Sequence, residues 1–390
     1  MSKVVEDINI CGEYKVVCPK NTPAVRLELG RSRFGGILAA VNLIFWRFFF
    51  YAEVLLLVLR GLQSVTIIHH HSIGVLFTML LISRSKAVAY YCMDSSFFCV
   101  ASYNYKCGSE CTECISNYMK ANECIIMPYK SVLPKRAQLL FHGLLFHYLE
   151  NNLHKIEFLC QTIGQRNLLL RRYPQAMSRI IGLMTSDVRE EIRKKTGRQS
   201  KRIDDPIGLD RDLNDCLVFH GTAHPAKGFT ALLHDSQFHS QKILFPFARG
   251  EVADIVGEMG VDLPKVWIFQ PMTWTTGLRE ACSRALAVLC VSRWSAPIEG
   301  ALIKSMCVSQ NVIVWGTEFS YHSEIPEKVV WRLESKPLCD ILAAIEQSDA
   351  ETRRERALLG DGFLEEFYTK YSGLQLRPKL KENKTILTLK

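Results

Sequence analysis

The sequence predicts an α/β protein, on three observations. Short apolar runs recur between longer helical patterns: 65–68, 87–91, 158–160 and 180–184 in the first half, and 216–220, 243–247, 266–269, 285–291 and 312–315 in the second. Such alternation reads as parallel strands joined by crossover helices. The stretch 274–305, WTTGLREACSRALAVLCVSRWSAPIEGALIKS, compresses the rhythm into one unit: a polar turn at Gly277, a buried strand, a turn with Pro297 and Gly300, then a helix. Finally, 390 residues suffice for two domains with full cores, and a charged, turn-rich segment near residue 200 divides them.

Composition narrows the class. With 48% hydrophobic and 22% charged residues the chain is globular. A net charge of +9 and a pI near 8.8 suit an anionic partner or a basic solvated surface. The 14 cysteines are scattered, half of them between Cys92 and Cys160. The opening MSKVVEDINI has acids and no apolar signal core, so a reducing, cytoplasmic compartment is expected.

In chain order, a strand is expected over 14–18, then a glycine-bearing turn, GRSRFGG. A helix follows over 37–62. Arg47 and Glu53 interrupt its apolar run, leaving it short of the roughly 20 residues a membrane span needs. A buried helix is expected; an interfacial helix making peripheral membrane contact is the alternative. The strand over 65–68 delivers His69, His70 and His71 at its carboxyl end, where α/β folds place chemistry. A helix over 73–83 leads to the strand over 87–91, ending in Cys92, Met93 and Asp94.

A cysteine-bearing loop comes next. Cys107, Cys111 and Cys114 contain one C-x2-C pair, and Cys99 or Cys124 would complete four ligands for a structural zinc; buried free thiols are the alternative. An amphipathic helix dominates 131–157, and the strands ending at Cys160 and Met184 follow. Six basic residues and no acid lie between Arg193 and Arg202, read as a helix end and hinge. Without interleaved aromatics this run gives no nucleic-acid site.

The second half opens with a strand running into GTAHPAKGF, which places Lys227 and Gly228 between strand and helix. Farther on, Glu299 stands where the loop after a buried strand meets a helix N-terminus. A carboxylate there can accept hydrogen bonds from sugar or ribose hydroxyls, or complement the helix dipole. The last helices are expected over 336–347 and 350–371, before a basic tail.

These residues resemble the donor-binding segment of retaining glycosyltransferases with the GT-B fold, family four in particular. That family has a strand ending in Pro-Ser, a loop with a glutamate and a helix starting Glu-Ala-Met. Here the strand ends at Val291-Ser292 and the helix reads Ile303-Lys304-Ser305-Met306. Lys227-Gly228 is similar to the family's Lys-Gly, and the loop after Asp94 to its phenylalanine- and cysteine-bearing loop. The resemblance covers about residues 62–335.

It implies two Rossmann-like domains facing across a cleft: an acceptor domain over 1–190, a linker over 191–211, a nucleotide-sugar domain over 212–360, and a crossover helix with a basic tail over 361–390. It implies a retaining, metal-independent hexosyl- or pentosyltransferase needing no cofactor besides its nucleoside-diphosphate-sugar donor. The acceptor would be a glycan, glycolipid or glycoprotein. Lys227, Glu299, His69 and His71 would be catalytic. Gly221, Thr222, Gly228, Arg249, Thr276, Gly277, Ser292, Gly300 and Lys304 would join Lys227 and Glu299 on the donor, and Asp94 would join the histidines on the acceptor. The departures are Met93 for a family histidine, Thr222 for an arginine, and Ser295 and Lys304 at the two glutamate positions. They keep a second class in view: a catalytically degenerate GT-B-like binding or scaffold protein.

Overall fold

The computed structural model describes residues 15–17, 51–52, 55–56, 59, 62–67, 74–124, 135–183, 185–197, 213–295, 297–372 and 386–389. Its strands are β1 (Lys15–Val17), β2 (Leu62–Ile67), β3 (Ser85–Tyr91), β4 (Tyr105–Lys106), β5 (Ser109–Glu110), β6 (Ile156–Cys160), β7 (Met177–Ile180), β8 (Leu217–Phe219), β9 (Ile243–Phe245), β10 (Ile268–Phe269), β11 (Ala287–Cys290), β12 (Val312–Val314), β13 (Trp331–Arg332) and β14 (Ile386–Leu389). Two parallel sheets result, in the orders β1-β14-β2-β3-β6-β7 and β10-β9-β8-β11-β12-β13, with β4 and β5 forming a small antiparallel hairpin. The chain is thus α/β, with two Rossmann-like units facing across a cleft.

The second sheet shows how sequence makes this layer. Successive side chains of a strand point to opposite faces, and both faces of a parallel sheet are covered. Val218, Val288, Cys290, Val312 and Val314 turn to one face, against Leu302, Ile303 and Met306 of the Gly300–Val308 helix and Leu364 and Phe367 of the Ala350–Tyr371 helix. Leu217, Phe219, Leu289 and Ile313 turn to the other, against Phe229, Leu232, Leu338 and Ile341. These strands read as unbroken apolar runs for that reason.

Several expectations shift. The first-half helices run Val75–Arg84 and Lys135–Asn151, and the strand expected over 180–184 is Met177–Ile180. Of the apolar helix over 37–62, Leu55, Leu56 and Leu59 are 46, 55 and 71% exposed, so its described end is not the buried helix expected. Among the described residues no helix is long and apolar enough to cross a membrane. The basic run also begins in a packed helix. Val188 and Ile192 of Ser186–Lys195 belong to the second unit's core, so the chain joins that unit before residue 191, where the linker was expected to start. At the other end, β14 returns to the first sheet between β1 and β2, giving the tail a strand where only a basic extension was expected.

Candidate functional site

In chain order the second sheet runs third, second, first, fourth, fifth, sixth strand, so its direction of winding reverses between β8 and β11. At such a switch point the loops leaving two neighbouring strands diverge to opposite faces and leave a crevice at the carboxyl ends. A cleft of about 440 Å3 lies there. Past β8 it is lined by His220, Gly221, Thr222 and Lys227. Past β11 come Trp294 and Pro297 to Ala301, and Met93, Asp94 and Tyr103 close it from the first unit.

Lys227 and Glu299 meet at its centre. The Lys227 ammonium donates to Glu299 Oε1, which also accepts from Ser292 Oγ at 2.7 Å. Burial pushes the Glu299 carboxyl up. The charges of Lys227 and His322 and the hydrogen bonds from Lys227 and Ser292 outweigh it, holding the carboxyl below its usual range. Lys227 Nζ is also 4.9 Å from the centre of the Trp294 ring, a cation–π contact. The turn that carries Lys227 depends on Gly228. Its φ is +97°, and a Cβ there would lie 2.0 Å from the Val291 carbonyl oxygen. Only glycine lets this backbone pass so close to β11's exit.

Glu299 precedes the Gly300–Val308 helix, so Gly300 and Ala301 of the first turn line the cleft. Free amides and the positive end of the dipole make such a terminus an anion site. His220 stacks on Trp274, centroids 5.0 Å apart and planes 7° apart, and its Nδ1 is 2.7 Å from Ser305 Oγ. Burial, with Lys304 nearby, pushes its imidazole down to about 3. His322 is buried behind Glu299, and neither ring nitrogen has a hydrogen-bond partner among the described residues.

The first unit grips this site through one loop. Asn104 accepts from Ser95 Oγ at 2.6 Å and donates to Ser295 Oγ at 2.7 Å, and the Tyr105 hydroxyl is 2.8 Å from Thr230 Oγ1. Tyr103 packs on His224 and edge-on to Trp294, with centroids 4.6 and 4.8 Å apart. Beside these contacts, Gly164 N donates to Glu324 at 3.0 Å.

Of the expected donor residues, Lys227, Glu299, Gly221, Thr222 and Gly300 line the cleft, and so does Asp94, expected on the acceptor side. Ser292 lies behind Glu299, and Gly228 shapes the Lys227 turn. Lys304 turns away, paired with Asp187 at 3.1 Å and 4.9 Å over the Trp274 ring. Arg249 is exposed in a turn after β9, and Thr276 is exposed and Gly277 half-buried before β11; none of the three lines the cleft. His69 and His71 lie outside the described residues. Cys107 is exposed while Cys114 is buried, and among the described residues no three His, Cys, Asp or Glu side chains are grouped to hold a metal, against the zinc reading of Cys107, Cys111 and Cys114. Sequence reasoning missed His220, Trp294 and Tyr103. The first two had a signal, since each follows a strand's end; Tyr103 reaches the cleft only through the packing of its loop.

No family model and no curated protein matches this chain. Among solved structures it is similar to a sucrose-phosphate synthase from Thermosynechococcus elongatus, at 14% identity and a TM-score of 0.48, over 78% of this chain and 69% of that one. It is also similar to Anabaena HepE in complex with UDP, at 12% and 0.48, over 80% and 76%. A UDP-forming α,α-trehalose-phosphate synthase from Burkholderia vietnamiensis is similar at 9% and 0.46, over 83% and 74%. Identities and scores this low say nothing of this chain's chemistry.

Proposed function

We propose that the cleft binds a nucleoside-diphosphate sugar and that the protein transfers the sugar to a glycan or glycoconjugate acceptor. One observation carries this reading: a lysine and a helix N-terminus converge at the switch point of a doubly wound sheet, where such sheets take phosphate-bearing ligands. The diphosphate would lie between Lys227 and the amides of Gly300 and Ala301. Charge grows on the leaving diphosphate as the glycosidic bond breaks, and fixed positive groups there stabilise it where it forms. Glu299 would accept from donor hydroxyls with the oxygen that Lys227 and Ser292 leave free. The acceptor would enter past Met93 and Asp94, with His69 or His71 beside it. Retention of configuration and independence of metal and cofactor belong to the same proposal, as do a cytoplasmic location and peripheral membrane contact, which the exposed Leu55, Leu56 and Leu59 support.

A second reading has its own observation. Lys227 and Glu299 satisfy each other, as in a degenerate site kept for binding or scaffolding. Donor hydrolysis measured across UDP-, GDP-, ADP- and TDP-sugars separates the two. Turnover of one donor that is lost in Lys227→Ala is expected for the transferase. Binding without turnover under every acceptor tried favours the scaffold.

A further inference from the structure

The second unit has another cavity, of about 280 Å3, at the opposite end of its strands. Leu286 and Asn311, which lead into β11 and β12, line it together with Arg353 and Arg356 of the Ala350–Tyr371 helix. All strands of this sheet are parallel, so the cavity opens at their amino ends and the cleft at their carboxyl ends.

Arg356 is the unusual group. Its guanidinium lies 3.7 Å over the centre of the Trp331 ring, and its buried Nε has no hydrogen-bond partner. Among the described residues it makes no ion pair. Burial alone pushes it down, to about 10, with no charged neighbour acting on it. Its support is built: Trp331 Nε1 donates to Asn311 Oδ1 at 3.4 Å, and Asn311 Nδ2 donates to the Leu286 carbonyl at 3.1 Å. The nearby acids are occupied or peripheral. Asp349 accepts from Thr352 N at 2.8 Å, Glu355 pairs with Lys328 at 3.3 Å, and Glu346 is exposed at the rim. Arg353, three residues before Arg356, stands on the same helix face.

Arg356 is half-buried, and closing its Nε off from water without a counter-charge carries a cost that stacking on an indole offsets only in part. The planar fork of arginine matches a tetrahedral oxyanion with two parallel hydrogen bonds, and a second arginine nearby suits a doubly charged one. We propose that this cavity is a phosphate-binding site, separate from the cleft, for free phosphate or the phosphate group of a small monoester. Arg356 grips the anion in-plane, Arg353 adds the second charge, and the Gln310 amide at the rim meets the remaining oxygens or the ester's hydroxyls.

The test titrates the full chain with inorganic phosphate and, separately, glycerol 2-phosphate, at constant ionic strength, reading Tm. A saturable rise is expected in wild type and in Lys227→Ala, whose cleft lacks its lysine, with at least tenfold weaker binding in Arg356→Met. A response to phosphate alone identifies the free ion as ligand; a response to both identifies the phosphate group of an ester as sufficient. No response to either probe overturns the proposal. So does a response kept by Arg356→Met, or one lost in Lys227→Ala, which would place the anion in the cleft. If Arg356→Met does not fold, phenylglyoxal labelling of the wild type decides. Phosphate must shield Arg356 from modification, and equal labelling with and without it rejects the site.

Discussion

Lys227 and Glu299, 72 positions apart in the chain, form a part-buried ion pair where the turns after β8 and β11 converge. It ties the two halves of the cleft together before any ligand arrives. A bound diphosphate would compete with Glu299 for the same ammonium, so stability and binding are coupled at one contact.

Breaking the pair from either side should therefore be costly. Read from the sequence, Lys227 is a donor-binding residue whose removal weakens binding and spares the fold. The structure changes that expectation, because Lys227→Ala leaves a buried carboxylate without its cation. Losing one partner of a buried pair costs about 3–5 kcal/mol, and the part exposure of Lys227 puts this one at or below the lower end. Urea denaturation of Lys227→Met, Glu299→Gln and the double variant measures it. The double variant should recover part of the loss. Additive losses would show that the two side chains do not support each other.

His220 gives a pH dependence. Its folded pKa, about 3, lies below the ordinary 6.5, so between those values the unfolded chain binds a proton that the folded chain refuses. Stability from this residue is complete above pH 6.5 and falls as pH drops towards 3, by about 1.4 kcal/mol per pH unit at most. His220→Phe keeps a ring against Trp274 and removes the proton site. Its urea midpoint should fall less than that of wild type between pH 6.5 and 4.5. Parallel curves would mean that His220 is protonated without penalty.

Asn104 should govern how the first unit's loop holds the cleft. It has a φ of +33°, and its amide bridges Ser95 and Ser295 across the two units. Asn104→Ala loses both hydrogen bonds and strains the backbone; Asn104→Gly loses the bonds alone. Each orphaned buried hydroxyl costs about 1–3 kcal/mol, so both variants should melt earlier, with alanine the worse. Equal melting of the two would remove backbone strain from the account.

What the sequence revealed and hid follows from where chemistry is local. β8, β9, β11 and β12 were legible because they are buried on both faces and hence continuously apolar. β7 was displaced because it carries Arg179, whose cost is met by Glu157 of the neighbouring β6 at 3.0 Å, a pairing invisible along the chain. β13 has two residues and β14 has no counterpart near it in sequence; each exists through its parallel neighbour. Within the site, Lys227 and Glu299 were found because strand ends mark positions. That they bond each other was not, because the contact joins two turns whose distance only the sheet order sets. Lys304 was placed on the donor by resemblance, and Asp187 of a packed helix draws it away.

The most direct test of the cleft's role is calorimetric titration of UDP, GDP, ADP and TDP into the wild type and Lys227→Met, after both are shown to be folded. One nucleoside diphosphate should bind the wild type in a one-to-one ratio, and Lys227→Met should bind it at least tenfold more weakly, a loss of about 1.4 kcal/mol. Binding of equal strength in the two proteins, or no binding of any of the four to the wild type, would contradict a diphosphate seat between Lys227 and the Gly300 helix.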